Sequence, residues 1–429
     1  MMFVLTLSFS LQAENLSFKN FGKEIVFEKN ENGFVNKASQ QQITISNRLI
    51  IKTANTYSKK DLTETDSSIT DVKELYQGND FTYFVAEINK ESDLQEVMKT
   101  LDSKKDILLV QADILQQTEK SHEGNDHKEN LLKKPARKKR TKQQMAIIKQ
   151  KQLEASLPRY LKFVGVDKLW EKSKGKGVKI AVIDDGFDLK HKEFKKLKVA
   201  FSYDASEKKL STDPKHPLDT HGTKVAGVLF AQHDKTGVEG IAPEAEFIAI
   251  RQPDTWTSNT LLSFQIAKLN NADIVNCSWN SPQLMQPVAD AINDLTEFGR
   301  NGKGTAVVIA SGNKGIKIKP NSTEASIKSA IVVGASNLLA LRPLKFSNTG
   351  ESIDLLSFGR PVQSTLPMDK YGNFAKTSLS ATIVSGISAL VLSQNPDYTL
   401  KQLQTELMKI TSDKKRTKKF NLKKNTSTK

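Results

Sequence analysis

The sequence of 429 residues is poor in cysteine and in long apolar segments. Its one cysteine, Cys277, excludes an intrachain disulfide framework and any metal site built from several cysteines. No stretch approaches the roughly 18 consecutive apolar residues of a membrane-spanning helix. Hydrophobic residues still make up 38% of the chain, which is too much for a disordered protein. The composition therefore indicates a folded protein, and its length suggests about three domain-sized pieces.

Acidic residues are outnumbered, with 48 Asp and Glu against 64 Lys and Arg, but the excess is confined to two segments. Seven positive charges between Lys133 and Lys142 and eight between Lys414 and Lys429 make up 15 of the net +16. Runs of like charge repel one another and resist packing, so we interpret both as solvated segments. This location argues against specific nucleic-acid binding. It leaves a weak contact between the last run and an anionic surface as the alternative.

The amino terminus has an apolar segment, Met1–Leu11, without a positive residue ahead of it. The segment is too short to span a bilayer, and Ala13 provides the small residue of a cleavage region, as in a secretory signal peptide. We therefore predict a signal peptide over residues 1–13 and a secreted or periplasmic protein. The missing positive leader predicts a true start upstream, and a buried strand is the alternative interpretation.

A small domain, a linker and a tail are predicted around one larger domain. Residues 43–116 combine strand-like runs with a helix over Ser92–Leu101, in which Ser92 and Gln95 form a capping box. This pattern predicts a small α+β domain. Residues 117–157 are predicted to be a basic linker, and residues 413–429 a basic tail.

Residues 158–412 are predicted to form an α/β domain. Short, nearly continuous apolar runs alternate there with helical patterns, which is typical of strands buried on both faces of a parallel sheet. The runs are Val178–Ile183, Phe247–Ile250, Ile274–Asn276, Ala306–Ala310 and Ile331–Gly334. We expect a doubly wound, mostly parallel sheet with helices on both faces. In such sheets the functional site lies at the carboxyl ends of the strands.

Four polar residues stand at strand ends or helix starts of this domain: Asp184, His221, Asn313 and Ser378. Taken singly, each has a structural alternative as a turn former, a packing residue or a helix cap. Together they match the needs of acyl transfer: a hydroxyl nucleophile, an imidazole base and a carboxylate that orients it. The Asn313 side chain and the Ser378 backbone N–H are candidate donors to the oxyanion.

The order Asp–His–Ser and four sequence strings resemble the subtilisin superfamily of serine proteases over about residues 158–410. The strings are IAVIDDG at Ile180–Gly186, HGTKVAG at His221–Gly227, ASGN at Ala310–Asn313 and TSLSA at Thr377–Ala381. The resemblance implies a serine endopeptidase with Ser378 as nucleophile, His221 as general base and Asp184 as its orienter. Asn313 would then complete the oxyanion hole.

The resemblance also implies substrate-binding segments, partners and a role for the small domain. Ser278, Trp279 and Asn280 align with the strand that pairs with an extended polypeptide substrate, and Ala310, Ser311 and Gly312 with the opposite pocket wall. Residues 43–116 would be a pro-region that inhibits its own protease until it is cleaved, and an independent interaction domain is the alternative. The family needs no cofactor for its chemistry. Structural calcium is common in it, but we assign no metal ligands here.

Three residues depart from the family pattern. Lys376 and Asn280 stand where glycine is usual, and Thr382 replaces a common proline. The first two substitutions support one competing hypothesis, a peptide-binding pseudoprotease that is catalytically weak or inactive. The strings Asp184–Gly186 and Cys277–Trp279 resemble the kexin branch, which cleaves after basic residues. Because no carboxylate follows Trp279, we expect a bacterial-type enzyme and leave its specificity open.

Overall fold

A computed structural model describes residues 15–31, 33–116, 159–337 and 342–412. The predicted signal peptide, basic linker and basic tail lie outside these ranges. The chain divides into two compact units. One is formed chiefly by the described residues up to 116, and the other chiefly by the described residues from 159 onward.

The amino-terminal unit is built on one antiparallel sheet. Its elements are β1 (Asn15–Asn20), β2 (Lys23–Asn30), β3 (Gly33–Asn36), β4 (Gln42–Ala54), α1 (Lys59–Thr65), β5 (Ile69–Gln77), β6 (Phe81–Ile88), α2 (Leu94–Asp102) and β7 (Ile107–Gln116). The strand order is β1-β2-β3-β4-β6-β5, and β7 pairs with β4 on its other side. Leu49, Ile50 and Ile51 of β4 are fully buried between these neighbours.

Two details of this unit differ from the sequence-based expectation. The sheet begins at Asn15 and not near residue 43, because Leu16 and Phe18 alternate with polar residues and bury one face of β1. The second helix begins one residue later than predicted. Asp93 and not Ser92 caps it, with its carboxylate accepting from the backbone N–H groups of Gln95 and Glu96.

The second unit contains a parallel sheet of seven strands. Its elements are α3 (Arg159–Val164), α4 (Val166–Trp170), β8 (Lys179–Asp184), β9 (Lys198–Asp204), α5 (His221–Phe230), β10 (Glu246–Arg251), α6 (Thr257–Leu269), β11 (Ile274–Cys277), α7 (Gln286–Gly302), β12 (Ala306–Ala310), β13 (Ile331–Ser336), β14 (Leu355–Phe358), β15 (Val362–Leu366), β16 (Lys370–Phe374), α8 (Lys376–Gln394) and α9 (Leu400–Ser412). The order is β14-β13-β12-β11-β8-β10-β9, and β15 and β16 form a separate hairpin.

The parallel sheet is buried on both faces, as the apolar runs predict. In β8, Ile180 and Val182 join the core around α8, whereas Ala181 and Ile183 point to the other face and are equally buried. Helix α8 packs across β11 to β14. Its length and composition would suffice to cross a membrane, but its residues from Thr377 to Leu392 are buried in this unit, which fits the core helix of a folded domain.

Candidate active site

The site forms where the carboxyl ends of β8, β11 and β12 lie side by side. Neighbouring parallel strands end at the same edge, with Asn276 paired with Val182 and Cys277 with Ile309. Residues that follow these strands are therefore brought together although they are far apart in the sequence. This edge was predicted to carry the functional residues.

Asp184 and His221 form a hydrogen-bonded pair at this edge. Asp184 is the last residue of β8, and His221 is the first residue of α5. The imidazole Nδ1 lies 2.9 Å from Asp184 Oδ1 and 3.0 Å from Oδ2. Because a carboxylate only accepts, Nδ1 must carry the proton, and Nε2 becomes the basic nitrogen. The carboxylate side chain is only 4% exposed and the imidazole 23%, so the pair is shielded while the ring can meet a ligand.

Asp185, which follows Asp184 in the IAVIDDG string, holds the start of α5. Its Oδ1 accepts from the Gly222 N–H at 2.8 Å, and its Oδ2 from the His221 N–H at 3.1 Å. These two N–H groups have no partner inside the helix, so the carboxylate satisfies them and fixes the backbone of His221. Burial and, secondarily, the charge of Asp184 raise the pKa of Asp185 to about 7.

Ser378 lies in the first turn of α8, which begins at Lys376. Its Oγ donates to the Ser278 carbonyl oxygen at 2.9 Å, and the Ser278 hydroxyl donates to the Ser378 carbonyl oxygen at 3.2 Å. The serine side of the site is thus tied to the segment after β11. The Ser378 N–H belongs to the first turn of a helix, where N–H groups have no intrahelical acceptor and point toward a ligand.

The orientation of Asn313 is set by Thr377, a residue not singled out from the sequence. Asn313 Oδ1 accepts from the Thr377 N–H at 3.1 Å and from its hydroxyl at 2.8 Å. With the amide oxygen engaged on α8, the NH₂ group is the end of the side chain that remains to donate elsewhere. Asn313 and the Ser378 N–H are therefore linked through one buried residue, and together they can stabilise a developing oxyanion.

The two predicted substrate-binding segments extend from β11 and β12. The Ser278 hydroxyl accepts a hydrogen bond from Asn276 Nδ2. Asn276 is fully buried, and its Oδ1 accepts from the Ser385 hydroxyl of α8. The Trp279 indole N–H donates to the Ile183 carbonyl oxygen at 2.8 Å. Asn280 donates through Nδ2 to the Ala310 carbonyl oxygen at 2.7 Å.

On the opposite wall, Ser311 is fully buried, and its N–H donates to Val333. Gly312 adopts a φ of +96°, and an added Cβ would lie only 2.4 Å from the amide nitrogen of Asn348, so only glycine fits there.

Comparison with known proteins gives the family. The profile of the subtilase family, peptidase family S8, matches residues 175–425, which is more than half of the chain. The chain belongs to the subtilase family.

Several subtilases are similar to the chain at the level of individual proteins. Subtilisin E of Bacillus subtilis (strain 168) is 32% identical over 239 residues, covering 54% of this chain and 60% of that protein. The subtilisin of Bacillus pumilus is 31% identical over 239 residues, covering 54% of this chain and 83% of its own length. The match thus spans about three fifths of the length of subtilisin E. Among solved structures, the MycP3 protease of the type VII (ESX-3) secretion system aligns with a TM-score of 0.49 and 23% identity, over 60% of this chain and 82% of the other.

Two departures from the usual subtilase pattern have visible consequences. Lys376 adopts a φ of +70°, in the left-handed region that favours glycine, at the residue where α8 begins. Thr382 donates through its hydroxyl to the Ser378 carbonyl oxygen at 2.8 Å. The Thr382 hydroxyl thus bonds to the carbonyl oxygen four residues earlier, in the first turn of the helix. Where the family usually has proline, this chain has a residue that contacts Ser378 directly.

Metal ligands are not evident in the part of the chain that the structure describes. Within residues 15–31, 33–116, 159–337 and 342–412, no cluster of three or more His, Cys, Asp or Glu side chains is arranged to hold a metal ion. Subtilases need no cofactor for catalysis, and structural calcium in this chain stays a prediction without assigned ligands.

Proposed function

We propose that the chain is a serine endopeptidase that hydrolyses peptide bonds through an acyl-enzyme. The observation that carries this proposal is the Asp184–His221 hydrogen bond at the same sheet edge as Ser378 and Asn313. Membership of the subtilase family supports it. The substrates are then polypeptides.

In this mechanism four residues act in sequence. Ser378 Oγ attacks the carbonyl carbon of the scissile bond while its proton passes to His221 Nε2. Asp184 holds the ring and stabilises the imidazolium that forms. Asn313 and the Ser378 N–H bind the oxyanion, and the imidazolium then protonates the leaving amine. Water repeats the sequence on the acyl-enzyme and regenerates the serine.

The test is labelling and turnover of the wild type and of Ser378→Ala. The wild type should react with a fluorophosphonate probe, gain the mass of one adduct and cleave a denatured protein. Ser378→Ala should do neither. Ser388→Ala is the matched control, because its hydroxyl donates to Val384 within the same helix and far from the site. An unlabelled, inactive and correctly folded wild type would instead support the peptide-binding pseudoprotease.

The oxyanion role of Asn313 makes a separate prediction. Asn313→Ala removes the NH₂ donor, so kcat should fall by on the order of 10² to 10³. KM should change little, because the interaction develops only in the transition state. Steady-state kinetics on one peptide substrate checks this. A rise in KM at unchanged kcat would show that Asn313 binds the ground state instead.

We also propose that the protein is a zymogen exported from the cytoplasm, to a secreted or periplasmic location. The support is the predicted signal peptide, the amino-terminal unit as a candidate pro-region and inhibitor, and the basic run Arg137–Arg140 as a candidate cleavage segment. Intact mass and amino-terminal sequencing of the wild type should find a shortened form. A Ser378→Ala chain that remains full length would mean that the protein cleaves itself, and equal shortening of both would assign the cleavage to another protease.

A further inference from the structure

The space between the segments after β11 and β12 is where a substrate side chain would enter. Cys277 and Ile309 are register partners, so Ser278–Asn280 and Ala310–Gly312 run alongside each other. Ser378 is bonded to the Ser278 carbonyl oxygen at one end of this space. If Ser378 is the nucleophile, as proposed above, this space lies beside the residue whose carbonyl it attacks, and we take it as the pocket for that residue's side chain.

The Asn280 side chain crosses this space. Its Nδ2 donates to the Ala310 carbonyl oxygen at 2.7 Å, which joins one segment to the other. Its Oδ1 accepts from the Thr323 hydroxyl at 3.1 Å. A Cβ placed on Gly312 would lie 3.9 Å from the same Nδ2, so the amide also borders that glycine. Both ends of the Asn280 amide are therefore anchored, the nitrogen to the opposite segment and the oxygen to Thr323.

A buried carboxyl group contacts the residues that adjoin the Asn280 side chain. Glu324 is 1% exposed, and its Oε2 accepts from the Ser281 N–H at 2.7 Å. The same Oε2 lies 3.2 Å from the Thr323 hydroxyl, which shares its single proton between this oxygen and Asn280 Oδ1. The residue beside Asn280 and the residue bonded to its oxygen are thus fixed to the same group. Burial raises the pKa of Glu324. A hydrogen-bonded network of this kind restrains a side chain far more than a single surface contact does.

We propose that Asn280 closes the pocket for the residue on the acyl side of the scissile bond and restricts it to glycine or alanine. A leucine, phenylalanine or lysine side chain would have to displace the amide and break its bonds to Ala310 and Thr323. A side chain of one methyl group leaves both bonds in place. The substrate class is therefore a polypeptide cleaved after small residues.

The experiment compares peptides that differ only at the acyl-side residue, alanine or phenylalanine, with the wild type and Asn280→Gly. The wild type should prefer alanine by on the order of 10- to 100-fold in kcat/KM. In Asn280→Gly the ratio of kcat/KM for the phenylalanine peptide to kcat/KM for the alanine peptide should rise by a similar factor. Asn271→Gly is the matched control, because Asn271 is exposed, already has a positive φ and precedes β11 at the opposite edge of the sheet. It should keep the wild-type preference.

The outcomes separate this inference from the proposed peptidase activity. Fluorophosphonate labelling of Ser378 reports the nucleophile without depending on the pocket. Two outcomes overturn the pocket inference alone. In one, the labelled wild type cleaves the phenylalanine peptide as fast as the alanine peptide. In the other, folded Asn280→Gly keeps the preference of the wild type. Loss of labelling overturns both. If Asn280→Gly does not fold, Asn280→Ala removes the same amide and decides the question by the same ratio.

Discussion

Lys376 is a non-glycine residue in a left-handed backbone conformation, with a φ of +70° at the start of α8. Such a conformation costs an L-residue about 1–2 kcal/mol, whereas glycine adopts it freely. Lys376→Gly should therefore raise the free energy of unfolding by about 1 kcal/mol, after the greater entropy of glycine in the unfolded chain is counted. Denaturant unfolding in a Ser378→Ala background checks this without self-cleavage. Lys190→Gly is the control: its φ is not positive, so the same change should lower stability. An equal loss in both variants would contradict the argument.

Asp185 should make stability depend on pH. The pKa of this carboxyl is about 7 in the folded protein, against about 3.9 in an unfolded chain. The folded state therefore binds the proton more tightly, so the stabilisation is complete below about pH 4 and is lost as the pH rises through about 7. Relative to Asp185→Asn, the wild type should lose stability between pH 4 and 7 and change little above pH 8. Denaturant unfolding of both proteins across this range measures the difference. A constant difference would contradict the raised pKa.

Helix α5 can lie close to the end of β8 because Gly222 has no side chain. A Cβ there would lie 2.4 Å from the Gly186 carbonyl oxygen and 3.0 Å from Asp184 Cβ, so Gly222→Ala must push the helix away from the strand. The His221–Asp184 hydrogen bond should lengthen, and we expect kcat to fall at least tenfold at equal folded fraction. In Gly227→Ala the new methyl group meets Ser364 and Thr365, so that variant should lose stability with a smaller loss of kcat. Equal loss of kcat per folded molecule in both would show that the position of Asp184 is not the cause.

Local sequence patterns predict the elements of the second unit better than its contacts. The apolar run before Asp184 predicts β8, and the strings around His221 and Ser378 predict where their helices begin, because strand burial and helix starts are local properties. Glu324 could not be predicted beside Ser281, since 43 residues separate them and only the sheet brings them together. Thr377 was visible in its string, but its bonds to Asn313 depend on how α8 meets β12.

At the scale of the whole molecule, nearly all of the net positive charge lies in two segments of the sequence that contain none of the candidate site residues. The run from Lys414 to Lys429 holds eight of the 16 net charges, and we propose that it contributes weak contact with anionic surfaces. Deleting it should leave kcat/KM for a neutral peptide within about twofold, because the residues that carry the chemistry all precede it. At low salt, the deleted protein should bind vesicles with anionic lipid more weakly than the full chain, since the deletion halves the net charge to +8. Sedimentation with anionic and with neutral vesicles, alongside peptide kinetics, measures both effects. Because the subtilase match continues to residue 425, a loss of activity on deletion would show that this segment belongs to the folded enzyme.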